Sequence, residues 1–279
     1  MSRVTVVGAG LAGSEAAWQL ANRGIPVRLV EMRPAHMTPA HTTGRFGELV
    51  CSNSLGADVL TSPAGILKSE LRKLQSLVMK AADRYRVPAG RALAVDRERF
   101  AEAVTESLTA HPLVETVLEE AVEIPEGPCI VATGPLTSEN MARRISELTG
   151  QEFLYFHDAV APVIERDSID MGKAYRGSRY GQGEDYINCP LDETAYDALV
   201  QGLLSAERAE RHEFEGRHPY FEGCLPVEVI ASRGRDTLRF GPLRPVGLPD
   251  PATGREPFAV VQLRQDNLEG TLYNMVGFQ

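Results

Sequence analysis

The sequence predicts an α/β chain: a parallel sheet wound with helices, carrying a second, inserted α+β domain. Three observations predict it. An apolar run, Val4-Thr5-Val6-Val7, enters the glycine turn Gly8-Ala9-Gly10-Leu11-Ala12-Gly13. A helical stretch follows, and Val27-Arg28-Leu29-Val30 ends in Glu31, 18 residues after Gly13. From about residue 157 the texture shifts to short strands and glycine-rich loops. Strand, glycine turn, helix, strand and acid in that order make a Rossmann-like, dinucleotide-binding βαβ unit.

Each part of that unit has a physical task. Gly8 permits the tight turn, Gly10 admits a pyrophosphate to the backbone, and Gly13 lets the helix approach the sheet. Leu11 and Ala12 open the helix, whose free N–H groups and positive dipole end favour an anion. Glu31 is placed to accept a ribose hydroxyl, with Met32 and Arg33 after it as further candidate cofactor-binding residues. The motif serves NAD and FAD alike. A second segment, Cys129-Ile130-Val131-Ala132-Thr133-Gly134-Pro135, is a short apolar strand ending in a Thr-Gly turn. Two-dinucleotide flavoproteins resemble this, with such a strand ending near the cofactor, so Thr133 and Gly134 favour FAD. The same residues also suit an ordinary core strand.

Between these landmarks the pattern gives further elements. Residues 33–62 read as a long polar loop holding His36, His41, Arg45, Glu48, Cys51, Ser52, Asn53 and Ser54. Ser62-Pro63 reads as N-cap and first helical position, and Leu67, Leu71, Leu74 and Val78 form one stripe through about Ala82. Asp96 caps a helix with Phe100, Val104 and Leu108 on one face. Strands are expected near 114–122 and 130–132, and a helix over 138–148 closed by Gly150. Beyond 157 the pattern predicts strands at 160–165, 227–231 and 259–263, and a helix from Asp192 to about Glu210. The domains are expected as 1–157, FAD-binding, and 158–279, inserted α+β with the start of a return to the first.

Bulk properties narrow the function. The 279 residues bury a sizeable core, and no apolar run approaches the roughly 20 residues that span a bilayer. No cleavable leader is legible, so a cytoplasmic protein with no membrane partner is expected. Cys51, Cys129, Cys189 and Cys224 are widely spaced, without CxxC or paired histidines, which predicts free thiols and no metal. The net charge is −9, yet residues 100–141 alone carry −8 and the rest is near neutral. Residues 68–99 hold nine basic side chains against four acids, and Lys173, Arg176 and Arg179 share a glycine-rich loop with Tyr175 and Tyr180. Such a loop suits phosphates and bases, and it equally suits a solvated surface. An RNA partner is neither excluded nor established by composition.

Cys51 and Cys224 are the candidates for chemistry, because both lie in irregular polar segments, while Cys129 begins an apolar strand and reads as core. Cys189, before Pro190, is ambiguous. Gly47-Glu48-Leu49-Val50-Cys51-Ser52-Asn53-Ser54, Gly223-Cys224-Leu225-Pro226-Val227-Glu228, Asp236-Thr237-Leu238-Arg239-Phe240-Gly241-Pro242 and Asn274-Met275-Val276-Gly277-Phe278-Gln279 join the glycine turn and Glu31 in one pattern. That pattern resembles the folate- and FAD-dependent tRNA (uracil-5-)-methyltransferases over essentially the whole chain. The resemblance implies FAD, NADH or NADPH as reductant, 5,10-methylenetetrahydrofolate as one-carbon donor, and a tRNA T-arm uridine, position 54, as acceptor. It implies a thiolate that adds to uracil carbon 6 so that carbon 5 becomes nucleophilic, after which the flavin-linked one-carbon unit and a hydride yield 5-methyluridine. Cys224 is assigned to that attack and Cys51 to the second thiol, two roles that the residues leave interchangeable. Members of the family continue past the position of Gln279 with another glycine-rich segment, so a shortened flavin site is expected. The competing readings are an NAD(P)H-dependent flavoprotein of another substrate, such as wobble-uridine modification, and a non-catalytic dinucleotide-binding chain.

Overall fold

A computed structural model describes residues 3–150, 161–207 and 225–278. The elements run β1 (Val4–Val7), α1 (Leu11–Ala21), β2 (Val27–Glu31), β3 (Ser54–Ala57), α2 (Pro63–Lys73), α3 (Leu77–Arg84), β4 (Arg86–Val87) and β5 (Ala92–Val95). They continue with α4 (Arg97–Thr109), β6 (Val114–Leu118), β7 (Cys129–Val131), α5 (Glu139–Thr149), β8 (Val163–Glu165), β9 (Tyr175–Arg176) and β10 (Tyr186–Leu191). The last are α6 (Glu193–Ser205), α7 (Val227–Ser232), α8 (Thr237–Phe240), β11 (Ala259–Gln265) and β12 (Leu272–Met275). Two compact units form: Met1–Val50 with Ala57–Tyr85 and Val95–Asp158, and Cys51–Gly56 with Arg86–Ala94 and Ala159–Gln279. Among the described residues no helix is long and apolar enough to cross a membrane.

The first unit is the α/β structure that the sequence predicts. Its parallel sheet has the order β6-β2-β1-β7, with Val4 opposite Val27, Thr5 opposite Cys129 and Val27 opposite Val114. Helix α1 packs on this sheet, and α3 and α4 pack on α1. Apolar side chains explain the stacking: Val6, Ala17, Leu29, Phe100, Val104 and Leu108 are fully buried. Three expectations need correction here. The polar loop 33–62 contains the strand β3. Cys129 is only half-buried, because β7 pairs with β1 alone and lies at the sheet edge, leaving Ile130 and Val131 partly exposed. The single helix expected through Ala82 is two helices.

The break between α2 and α3 has a clear cause. Gln75 adopts a left-handed backbone, φ 56°, and Ser76 begins a new helix by accepting the Met79 N–H with its hydroxyl at 3.2 Å. The Ser76 hydroxyl itself donates to Glu15 at 2.8 Å. The carbonyls released from the helix ladder accept from α1: Trp18 Nε1 donates to Gln75 O and Gln19 Nε2 to Leu74 O, both at 3.1 Å. Leu67 and Leu74, members of the expected stripe, face solvent. Capping and these side-chain bonds outweigh the apolar spacing.

The second unit is built on an antiparallel sheet, order β8-β12-β11-β10-β9. Along β11, Ala259, Val261 and Leu263 join an apolar core with Tyr196, Val227, Ala231 and Leu238 from the helices and Leu243 from the turn after α8. The alternate residues Gln262 and Arg264 are also buried, so the other face of the sheet is polar and covered. Tyr186 Oη donates to Ala89 O at 2.8 Å, and Gly90 N–H to Asp185 at 2.6 Å, which ties the excursion 86–94 to that sheet. Strands β3, β5 and β4 make a small separate sheet. The strand expected at 227–231 is the helix α7, in which Val227 and Ala231, four apart, point into the core. A short apolar run has no decisive period, and Pro226 at its N-cap suits a helix start. Helix α6 ends at Ser205, and the part of that helix expected near Glu210 lies outside the described residues.

Ser76→Ala is expected to destabilise the first unit by about 1–2 kcal/mol, since it removes a cap and one of the three donors to the partly buried Glu15 carboxylate. Leu74→Ala, at an exposed site, is expected to cost less than about 0.5 kcal/mol. Urea unfolding of both variants measures this, and a larger loss at Leu74 than at Ser76 would restore the single helix.

Candidate dinucleotide site and the Cys51 segment

The glycine turn is held by steric necessity on two sides. A Cβ at Gly8, whose φ is +94°, would lie 2.7 Å from Ala132 O, and one at Gly13 would lie 1.8 Å from Gly8 O. Strand β1, helix α1 and the end of β7 therefore meet with no room for a side chain. Gly10 is different. Its φ is −68° and a Cβ there meets nothing within 4 Å. No conformation demands glycine at this position; what it preserves is open space above the helix N-terminus. Gly10 has no side-chain cap, so the first N–H groups of α1 remain free for an anion.

That space is a cleft of about 310 Å³. Of the residues expected from sequence, Gly8, Gly10, Leu11, Ala12, Glu31, Met32, Arg33, Thr133 and Gly134 line it. Ala9 and Gly13 act from behind the wall. Ala9 N–H donates to Glu31 Oε2 at 2.8 Å, and Gly13 lies against Gly8 O. The far rim brings in Glu119, Glu120 and Ala121 after β6, and Thr137 and Ser138 before α5.

Glu31 is the electrostatic centre of this cleft. Its Oε1 accepts from Arg33 N–H at 3.0 Å and from Arg33 Nε at 2.8 Å. Arg33 Nη1 donates onward to Glu48 at 3.1 Å. Glu48 also accepts from the N–H and hydroxyl groups of Thr42 and Thr43, at 2.8–3.2 Å. Burial alone would raise the Glu31 carboxyl, but the Arg33 hydrogen bond and charge, with the Ala9 and Arg33 N–H groups, hold it below its ordinary value of 4.5. Glu48 is likewise lowered, its burial outweighed by the Thr42 and Thr43 donors. His41, on the cleft wall, is lowered by burial and by the Arg33 charge, so it is neutral at pH 7. Sequence reading gave Glu48 and His41 no task. The Thr42-Thr43 pair followed by Glu48 is the signal that was available, because clustered donors near an acid predict a folded loop.

The Cys51 segment belongs to the second unit. Cys51 is half-buried, and its carbonyl accepts from Ala161 N–H at 3.3 Å. The next two residues are gripped by Arg264 on β11. Its Nε donates to Asn53 Oδ1 at 2.8 Å and its Nη2 to Ser52 Oγ at 2.7 Å. Asn53 is fully buried and its amide donates to Gln265 O at 2.9 Å. The polar sheet face thus serves as a seat for the thiol-bearing turn. Arg264 was missed because a strand reading Val-Gln-Leu-Arg looks half-exposed. Cys224 lies outside the described residues. Cys189, on β10, is raised by burial, which leaves it a poor nucleophile.

The basic loop of the second unit is more tied than its composition suggests. Arg179 donates to Val246 O at 2.7 Å and to Gln262 at 2.9 Å, Arg176 to the Tyr273 hydroxyl at 3.2 Å, and the Tyr175 hydroxyl to Leu248 O at 2.8 Å. Lys173 and Tyr180 remain exposed.

Because the folded Glu31 carboxyl lies below its unfolded value, it contributes stability above about pH 4.5 that is lost as pH falls through the folded value. The melting temperature is expected to be level from pH 7 to 5 and to fall below that. Glu31→Gln is expected to melt lower at pH 7 and to show a shallower acid decline. Parallel curves for the two proteins between pH 6 and 3 would remove Glu31 from this role.

A profile of the glucose inhibited division protein A family matches residues 3–279. Curated relatives include the methylenetetrahydrofolate--tRNA-(uracil-5-)-methyltransferase TrmFO of Moorella thermoacetica, 61% identical over 279 residues. That of Anoxybacillus flavithermus is 60% identical over 277 residues. Each match covers 99% of this chain and 64% of the relative, so the chain spans somewhat under two thirds of their length. The resemblance read from the cysteine segments is borne out by these names. Among solved structures, Aquifex aeolicus GidA superposes with a TM-score of 0.60 at 12% identity, covering 99% of this chain and 50% of that one, which shows a shared fold. The chain belongs to the glucose inhibited division protein A family.

Proposed function

We propose that this chain carries the FAD-binding cleft and thiol segments of a folate-dependent tRNA (uracil-5-)-methyltransferase that forms 5-methyluridine at the T-loop uridine. The observation that carries this reading is the pairing of an open dinucleotide cleft with a clamped Cys51 turn, in a chain about 60% identical to proteins bearing that name. The first unit is read as the FAD-binding domain and the second as the inserted domain. The space above Gly10 and the free N–H groups of α1 suit a pyrophosphate. Glu31 Oε1 is saturated by two Arg33 donors, while Oε2 has one donor and keeps a lone pair for a ribose hydroxyl. A FAD held by these residues would supply hydride and one-carbon relay chemistry, with NADH or NADPH as reductant and 5,10-methylenetetrahydrofolate as donor.

The protein's own part is nucleophilic. A uracil carbon 5 is a poor nucleophile until a thiolate adds to carbon 6, which moves the double-bond electrons onto carbon 5 and the adjacent carbonyl. Carbon 5 then takes the one-carbon unit and loses its proton to a base, the bond between that unit and its carrier breaks, a hydride completes the methyl group, and the thiolate leaves as the carbon–sulfur bond breaks. We assign Cys224 to the attack and Cys51 to the second thiol. The Arg264 grip on Ser52 and Asn53 fixes the backbone that presents Cys51. The target base must leave its stack to be reached, which calls for phosphate-binding and stacking groups nearby.

The FAD-loaded protein is expected to form a covalent adduct with a 5-fluorouridine T-arm RNA, seen as a shifted band on a denaturing gel. Cys224→Ala is expected to abolish it and Cys51→Ala to retain it. Loss only in Cys51→Ala exchanges the two thiols. No adduct from folded, FAD-loaded protein, with the Moorella thermoacetica relative reacting alongside, contradicts the assignment.

A further inference from the structure

Two aromatic side chains of the second unit face solvent: Tyr180 is 67% and Phe240 73% exposed, and among the described residues no other aromatic is as open. Tyr180 packs against Gly247, seven residues along the chain from Phe240. Tyr180 has a left-handed backbone, φ 59°, unusual for a bulky residue. Its N–H donates to Gly247 O at 2.8 Å, and its ring lies so close that a Cβ on Gly247 would come within 2.8 Å of it. Beneath, Arg179 bonds Val246 O and Gln262. The strained residue is thus fixed with its ring turned outward.

Phe240 is fixed at the other end. The Arg239 guanidinium lies 4.0 Å from the Phe258 ring centre and 5.6 Å from that of Phe240. Arg239 is itself anchored, with its Nε donating to Phe258 O at 2.9 Å and its N–H to the Tyr196 hydroxyl at 3.2 Å. The outer face of Phe240 is open. Leu243 and Leu248 anchor the intervening chain in the core, and Arg244 between them is exposed, with no ion-pair partner among the described residues. The Arg179 guanidinium, lowered first by its burial, also feels the Arg244 charge, which places that charge near the Tyr180 end. The neighbouring Arg235 is neutralised by Asp197 and Glu193, and Glu256 accepts the Gly247 N–H. Arg244 is therefore an open cation on this surface.

We infer that Tyr180, Arg244 and Phe240 form a stacking track for the unpaired bases of a single-stranded RNA loop, the two rings taking bases and Arg244 a phosphate. The inference rests on the proposed RNA substrate and adds where its loop is held. Residues 240–247 span at most about 25 Å, the reach of a few nucleotides. Ring faces alternating with a cation are what sequence-tolerant binding of single strands requires. An apolar protein partner would leave Arg244 buried without a counter-charge, whereas a phosphate supplies one.

The test replaces Trp18, the single tryptophan, by Phe and introduces Phe240→Trp or Tyr180→Trp as the reporter. Oligouridylate is expected to quench each reporter, and an abasic ribose-phosphate oligomer of equal length is expected not to. Phe240→Ala and Tyr180→Ala are each expected to weaken oligouridylate binding about fivefold or more. Arg244→Gln is expected to lower the salt dependence by about one phosphate contact. Absence of quenching, equal quenching by the abasic oligomer, or unchanged affinity in the double alanine variant overturns the track. Adduct formation with 5-fluorouridine RNA separates the two claims. Adduct without quenching removes the track and leaves the methyltransferase reading, and quenching without adduct does the reverse.

Discussion

The Glu31 carboxylate is the interaction on which the cleft depends. One oxygen holds the Ala9 N–H of the glycine turn and the other holds Arg33, which in turn holds Glu48 and, through it, Thr42 and Thr43. The turn, the end of β2 and the loop beyond it are therefore fixed by one chain of buried charges. Such a chain is not stabilising by its charge alone, since desolvation offsets much of the attraction. Its worth lies in completeness: removing one partner from a buried pair typically costs about 3–5 kcal/mol. With the turn so fixed, Gly10 has no remaining structural task, and the space above it is left for a ligand.

The second unit solves a related problem with neutral partners. Its sheet buries polar residues on one face, and Arg264 satisfies part of its guanidinium through Ser52 and Asn53. An excursion from early in the chain becomes the cover of a late strand. The Cys51 turn is therefore held by packing and hydrogen bonds, more rigidly than a polar loop of its composition would be.

What was legible in the sequence was what is encoded locally. Gly8 to Glu31 declares its fold because the steric needs of the turn, the helix start and the acid fall within one short segment. The caps at Ser62, Asp96 and Asp192 were legible for the same reason, since each side chain accepts an N–H three residues on. The rest depends on partners distant in sequence. The α2–α3 break needs Trp18 and Gln19 to receive its carbonyls, and α7 needs a core for Val227 and Ala231. Cys129 reads as core until the sheet order places β7 at an edge. Arg264 reads as an exposed strand residue until the 51–56 excursion covers it. The roles proposed for the thiols rest on a pattern of segments, not on their charges or spacing.

The central claim is that the locked glycine turn is where a flavin dinucleotide rests its pyrophosphate. FAD titration of Gly10→Ala, followed by flavin fluorescence, tests it most directly, because the added methyl meets no protein atom within 4 Å. The account predicts a folded protein, destabilised by no more than about 1 kcal/mol, whose FAD affinity falls by about tenfold or more, equivalent to about 1.4 kcal/mol. A Gly10→Ala protein that binds FAD as tightly as the parent would place the cofactor elsewhere and contradict the account.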